Sequence, residues 1–260
     1  MRKALSSVGI LCVLAVIVGV IFIVREESPS MKKESRSLPS VSVREVVIGD
    51  RSISMLVVGL PASLREYHFI SDPGQPKIVS EWRSELGAEI VFNGSYFNED
   101  GTPSGYWKTG KGKSAVPWPS LEDQADPNGY TFAVTALVDG LHFQYLPANP
   151  SEETVDETFL SFPTLVADGK PLVKVDSGLL ARRTAVAEDV DGVKYVIVTE
   201  KGTLSLYELS RWLVEQPEQF VIAGNLDGGP STGLSMQSGL SKIEVPSAPI
   251  SNVIAIWNRE

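Results

Sequence analysis

Apolar residues along this chain come in short, β-branched runs broken by Gly and Asp-Gly pairs, the pattern of strands joined by tight turns. Residues 41–48 and 52–58 read as an opening hairpin around Gly49-Asp50-Arg51, and residues 64–70 as a third extended stretch. Further hairpins are expected where 130–138 meets 141–145 through Asp139-Gly140, and where 165–166 meets 172–173 through Asp168-Gly169-Lys170. Another joins 184–187 to 193–198 across a loop ending Asp191-Gly192. Residues 89–92, 220–223 and 250–257 complete the expected strands.

Two segments follow a helical period instead. Ile78, Val79, Trp82 and Leu86 fall on one face between 76 and 86, with Gly87 as a stop. Leu206, Leu209 and Leu213 do the same in 206–214, where Ser205 and Glu208 stand at capping-box spacing, a structural use of Glu208. The domain is therefore expected to be α+β, a strand-dominated mixed sheet with a few packed helices.

The front of the chain has a different pattern. Residues 8–24 form an uninterrupted apolar run behind Arg2 and Lys3, close to the roughly 20 residues of one bilayer crossing. The run exits through Ile21-Phe22-Ile23-Val24 into Arg25-Glu26-Glu27 rather than through small residues, so residues 1–24 read as an uncleaved signal anchor. One transmembrane helix thus precedes the domain, and the positive-inside bias sends the rest to the non-cytoplasmic side, periplasmic or extracellular. Residues 25–40, rich in Ser, Pro, Glu, Lys and Arg, read as a disordered linker, and the folded domain as 41–260. The only cysteine, Cys12, lies in the apolar run, which leaves the exported part without disulfides, thiolate zinc sites or a cysteine nucleophile.

With 23 basic against 32 acidic residues and a net charge of −9, the chain lacks the positive footprint of a nucleic-acid binder. Its candidate chemistry gathers in polar loops. The stretch NLDGGPSTG offers Asn225, the carboxylate of Asp227, the amides of Gly228 and Gly229, and the hydroxyls of Ser231 and Thr232, a set that suits an anion or a sugar. It also reads as a plain strand-to-strand turn. Asn93-Gly94, after the expected strand 89–92, reads equally as a hairpin turn or as a second site-bearing loop. Arg183 and Thr184 open a strand, where a guanidinium can hold a phosphate through paired hydrogen bonds or stay solvated. His68 is expected to be a packed or surface residue.

Residues 106–129 form an irregular excursion in which Trp107 and Trp118 are either sugar-stacking platforms or local packing. Asp126-Pro127-Asn128-Gly129 falls far short of a calcium loop, and no metal site is assigned.

Five stretches in order, FNGSYFNEDGTPSG, FPTLVADGKPLV, ARRTAVAEDVDGV, LYELSRWL and NLDGGPSTG, resemble the phosphodiester glycosidase family over about residues 90–257. That resemblance implies hydrolysis of a sugar 1-phosphodiester. It implies a site drawing on Asn93, Gly94, Arg183, Thr184, Asn225, Asp227, Gly228, Gly229, Ser231 and Thr232. Asp227 would serve as general base, nucleophile or metal ligand; Arg183 would clamp the phosphate, and Asn93 and Asn225 would orient sugar hydroxyls. The leaving phosphate is a weak base, so one aspartate and one cation can suffice.

The expected partners are a phosphorylated glycan or sugar phosphodiester and the membrane, with no cofactor required and a divalent cation allowed. Ser95 and Pro230 depart from the family pattern, and Pro230 removes one amide from the glycine run. The readings that compete are a non-catalytic polysaccharide-binding module of the envelope and a metal-dependent phosphoesterase.

Overall fold

In the strand Arg51–Leu60, Ile53, Met55 and Val57 belong to one buried cluster and Leu56, Val58 and Leu60 to another. Side chains alternate across a strand, so both sets are buried only if both faces of the sheet are covered. A computed structural model of the chain, describing residues 39–60, 65–120, 131–146 and 157–258, shows what covers them.

Three sheets do the work. The first runs in the order β1 (Ser40–Ile48), β2 (Arg51–Leu60), β13 (Lys194–Lys201), β12 (Thr184–Asp189), β14 (Phe220–Asn225), β10 (Thr164–Ala167) and β11 (Lys170–Pro171). The second runs β16 (Ser241–Val245), β15 (Leu234–Ser238), β4 (Ile90–Asn93), β17 (Asn252–Asn258) and β3 (Arg65–Ser71). The third runs β6 (Gly112–Lys113), β5 (Trp107–Thr109), β9 (Glu157–Ser161), β7 (Phe132–Leu137) and β8 (Gly140–Tyr145). The central core is where the three meet: Leu56, Val58 and Val186 from the first, Phe92 and Ile254 from the second, Phe132 and Phe159 from the third.

Every pairing among the described strands is antiparallel, which corrects the expectation of a mixed sheet. A parallel pair needs a long crossover, usually a helix, and the described residues hold only two α-helices, neither of which serves that purpose.

Those helices cap outer faces. In α1 (Val79–Leu86), Val79 and Trp82 bury against Val91, Val253 and Ala255, and the helix ends at Gly87 in the left-handed conformation. In α2 (Leu206–Val214), Leu209 and Leu213 cover Ala185, Ala187 and Ile197. Ser205 accepts from the Glu208 amide at 3.2 Å while Glu208 accepts from Ser205 N at 2.8 Å, the capping box read from the sequence. Glu208 also pairs with Arg51, anchoring α2 to the first hairpin.

Three strands arise where none was expected: β9, β15 and β16. The excursion after Tyr106 contains the short hairpin β5–β6. The apolar run 8–24, the linker up to residue 38 and Asp126-Pro127-Asn128-Gly129 lie outside the described residues. Among the described residues no helix is long and apolar enough to cross a membrane.

Candidate active site

β4 and β14 belong to different sheets, and their C-terminal ends come together. Asn93 closes β4 and is 1% exposed. Its Nδ2 donates to the carbonyl of Asp227 at 2.8 Å, and its Oδ1 accepts from the amide of Gly233 at 3.1 Å. One side chain thus holds both ends of the 227–233 loop. Oδ1 also accepts from Thr184 Oγ1 at 2.7 Å, which brings in the start of β12. The backbone repeats the connection: Asp227 N donates to Gly94 O at 3.1 Å and Leu226 N to Thr184 O at 2.9 Å. Asn93-Gly94 is therefore no hairpin turn, since β4 pairs with β15 and β17 rather than with a returning strand.

Arg183 reaches the same loop. A Cβ on Gly228 would lie 2.9 Å from the carbonyl of Arg182, too close to be tolerated, and 3.7 Å from Arg183 Nη1, an ordinary contact, so the absent side chain lets the backbone at 182 close on the loop and leaves Arg183 beside it. Arg183 Nε donates to Leu204 O at 3.1 Å and Nη2 to Leu179 O at 2.7 Å, while Nη1 has no partner among the described residues. Burial lowers the guanidinium pKa, and the nearby Tyr96 hydroxyl works the other way. Among the described residues no carboxylate pairs with this arginine, which leaves a partly desolvated cation that an anion would satisfy.

Asp227 supplies the carboxylate of this loop. Its burial raises the carboxyl pKa, and hydrogen bonds from Ser231 and from Gly228 N, the latter at 2.8 Å, only partly offset that. Beyond it, Gly229, Pro230 and Ser231 form a single 3-10 turn, with Pro230 where a missing N–H costs no hydrogen bond. The expected anion cradle of glycine amides is not there. Gly228 N is taken by Asp227 Oδ1, and Gly229 N donates to Arg182 O at 2.8 Å.

Asn225, at the end of β14, is fully buried. Its Nδ2 donates to Tyr96 Oη at 2.6 Å and to Phe162 O at 3.1 Å. Its Oδ1 and the Oγ1 of the buried Thr232 have no partner among the described residues. Two orphaned polar atoms in the same stretch of chain as a raised carboxyl, with a cation that no described carboxylate pairs near Gly228, are what a site awaiting a hydroxylated, anionic ligand would show. Tyr96, which stacks on Phe162 at 4.5 Å, is the residue that sequence reasoning left out. Its only signal was its place two residues after Gly94.

All ten expected residues thus fall in one neighbourhood. Trp107 and Trp118 do not serve as platforms there. Trp107 is 3% exposed and stacked on Phe159 at 4.7 Å, and Trp118 packs against Tyr106. Among the described residues no cluster of three His, Cys, Asp or Glu could hold a metal ion.

The family model described as phosphodiester glycosidase matches residues 86–257, a span that takes in every one of these site residues. The chain belongs to the phosphodiester glycosidase family. The matched span begins at Leu86, the last residue of α1, so β1, β2 and β3 lie outside it. The fold of this family member is also that of the catalytic domain of zebrafish N-acetylglucosamine-1-phosphodiester alpha-N-acetylglucosaminidase, solved auto-inhibited by its pro-peptide. The TM-score is 0.63 at 18% identity, covering 87% of this chain and 86% of that one. A hypothetical protein from Synechocystis is similar at TM-score 0.55 and 15% identity, covering 85% of this chain and 62% of that one. No curated protein sequence matches the chain.

Proposed function

We propose that this phosphodiester glycosidase family member is a hydrolase that cleaves the bond between an anomeric carbon and the phosphate of a sugar 1-phosphodiester. The substrate is an exported or cell-envelope glycoconjugate, and residues 8–24 tether the enzyme to the membrane. The observation that carries this reading is the meeting of Asn93, Arg183 and Asp227, from three distant parts of the chain, around one loop.

In this reading Arg183 Nη1 binds the phosphate, with the guanidinium held in place by the carbonyls of Leu204 and Leu179. Asp227 is the general base. It takes a proton from the attacking water as the water oxygen bonds to the anomeric carbon; the carbon–oxygen bond to phosphate breaks, and the phosphate monoester leaves with the electron pair. A carboxyl with a raised pKa is a stronger base than an ordinary one and is suited to work nearer neutral pH. Asn225 Oδ1 and Thr232 Oγ1 receive sugar hydroxyls. Asn93 positions the loop rather than touching substrate, because its amide is already committed to protein partners.

The test is turnover of an aryl-sugar 1-phosphodiester by the full chain and by Asp227→Asn. Turnover lost in the variant supports the assignment; full activity in the variant sinks it.

A further inference from the structure

A second concavity lies away from the Asp227 loop, between the edge strand β3 and the third sheet. It is a cleft of about 560 Å³ whose lining includes His68, Trp107, Lys111, Lys113, Glu157 and Trp257. Its wall is pre-arranged. The His68 ring is held between Glu66 Oε1 at 2.7 Å and Glu157 Oε1 at 3.0 Å, while Glu157 Oε2 accepts from Phe69 N at 3.0 Å. Trp257 meets His68 edge-on at 5.5 Å and is itself fixed by donating Nε1 to Leu86 O at 3.2 Å. The tip of the β5–β6 hairpin, Gly110-Lys111-Gly112, is exposed and brings positive charge to the cleft.

Along and behind one wall of this cleft lie polar atoms that no described residue satisfies. Trp107 Nε1 and Ser71 Oγ, both from cleft-lining residues, have no hydrogen-bond partner among the described residues. Asn252 is the strand partner of Ser71, is 1% exposed, and leaves both its Nδ2 and its Oδ1 unpaired. Buried polar groups are nearly always paired, and each orphan carries a cost, so several meeting in one place point to an absent partner. That partner must both donate and accept, because the set contains N–H donors, an amide oxygen and a hydroxyl. A phosphodiester group alone has no donor, whereas a sugar hydroxyl both donates and accepts.

We propose that this cleft is a saccharide-binding subsite for an acidic glycan. Sugar hydroxyls reach Trp107 Nε1, Ser71 and the Asn252 amide, a ring face lies against Trp257, and the acidic group faces Lys111. The cleft is linked to the Asp227 loop through Gly94. A Cβ there would lie 3.0 Å from the Trp107 ring and would collide with Asn252 Oδ1, so both subsite residues press on the residue whose carbonyl accepts from Asp227 N. The inference stands on the orphaned atoms and the cleft, and does not depend on the reaction proposed above.

The experiment is binding of the full chain to a glycan array spanning neutral, uronic-acid and phosphorylated oligosaccharides, followed by titration with the tightest binder. Acidic glycans should bind in preference to neutral ones. Lys111→Glu, at an exposed position, should weaken binding at least tenfold while leaving turnover of a small aryl-sugar 1-phosphodiester unchanged. Trp257→Ala should weaken binding further, with its melting temperature measured as a control. Asp227→Asn should bind as tightly as the unaltered chain, which separates this subsite from the proposed reaction. No binding across the array, or binding lost in Asp227→Asn but kept in Lys111→Glu, would overturn the proposal.

Discussion

Asn93 and Asp227 lie 134 residues apart and are joined by a single 2.8 Å hydrogen bond from the buried Asn93 amide to the Asp227 carbonyl. The same amide oxygen takes the hydroxyl of Thr184 and the backbone N–H of Gly233. The geometry of the loop is therefore set from β4, by a residue that has no spare hydrogen-bonding capacity for a ligand.

Removing that amide should be costly. Asn93→Ala leaves the Gly233 amide and the Thr184 hydroxyl buried without partners, at about 1–3 kcal/mol for each group. Thermal unfolding should show a clear loss of stability together with loss of turnover. A variant with unchanged melting temperature would mean that Asn93 is not the clamp.

Gly228→Ala tests the close approach of the 182–183 backbone to the loop. The added Cβ would stand 2.9 Å from the Arg182 carbonyl, so the loop must shift. A displacement of about 1 Å can cost roughly 100-fold in rate. The expected outcome is a fold that survives, by circular dichroism, with kcat/KM down by about that factor.

Arg183→Lys keeps the charge and loses the fork. Lysine cannot bond the carbonyls of Leu204 and Leu179 while also presenting a nitrogen toward Gly228. Turnover of a 1-phosphodiester should fall roughly 10- to 100-fold, the scale of one charge-assisted hydrogen bond. Steady-state kinetics at fixed ionic strength would show it.

The pH dependence follows from Asp227. Burial raises its pKa in the folded protein, so the folded state holds that proton more tightly than the unfolded state does. Its contribution to stability is fully present below the unfolded value and is lost as pH rises through the raised folded value. Asp227→Asn should therefore gain stability relative to the unaltered chain as pH rises across that interval. The acid limb of the pH–rate profile should reflect the raised value. A stability difference that does not change with pH would contradict the assignment of burial as the cause.

Away from the site, Ser205→Ala should cost about 1 kcal/mol through the lost cap of α2 and leave kcat unchanged. That separates damage to the scaffold from damage to the chemistry.

Much of this was legible in the sequence, and several of the failures share a physical cause. Runs such as Val57-Val58 and Val196-Ile197-Val198 announce strands, and the Ser205–Glu208 spacing announces the cap of α2. Two of the missed strands, β9 and β15, have polar residues at interior positions, whereas β16 turns the apolar Ile243 and Val245 inward. β9 buries Thr158, which bonds Thr135 Oγ1 and Val134 O at 3.0 Å each, and Ser161, which donates to Asn225 O at 2.7 Å. β15 buries Ser235. A hydroxyl satisfied by a neighbouring strand packs like an apolar residue, yet it reads as polar until that neighbour is known.

The misreading of Gly228 and Gly229 has the same origin. Sequence shows that an amide exists, and only the fold shows that Asp227 Oδ1 and Arg182 O already occupy it. Placing ten residues in one loop system needed the motifs taken together, since Asn93, Arg183 and Asp227 share no local pattern.

The most direct test is hydrolysis of a sugar 1-phosphodiester in ¹⁸O-labelled water, with the label located by mass spectrometry. Attack at the anomeric carbon places the labelled oxygen on the released sugar and none on the phosphate monoester. Label recovered in the phosphate would mean that the phosphorus–oxygen bond is broken, and would contradict the glycosidase reaction assigned to Asp227 and Arg183.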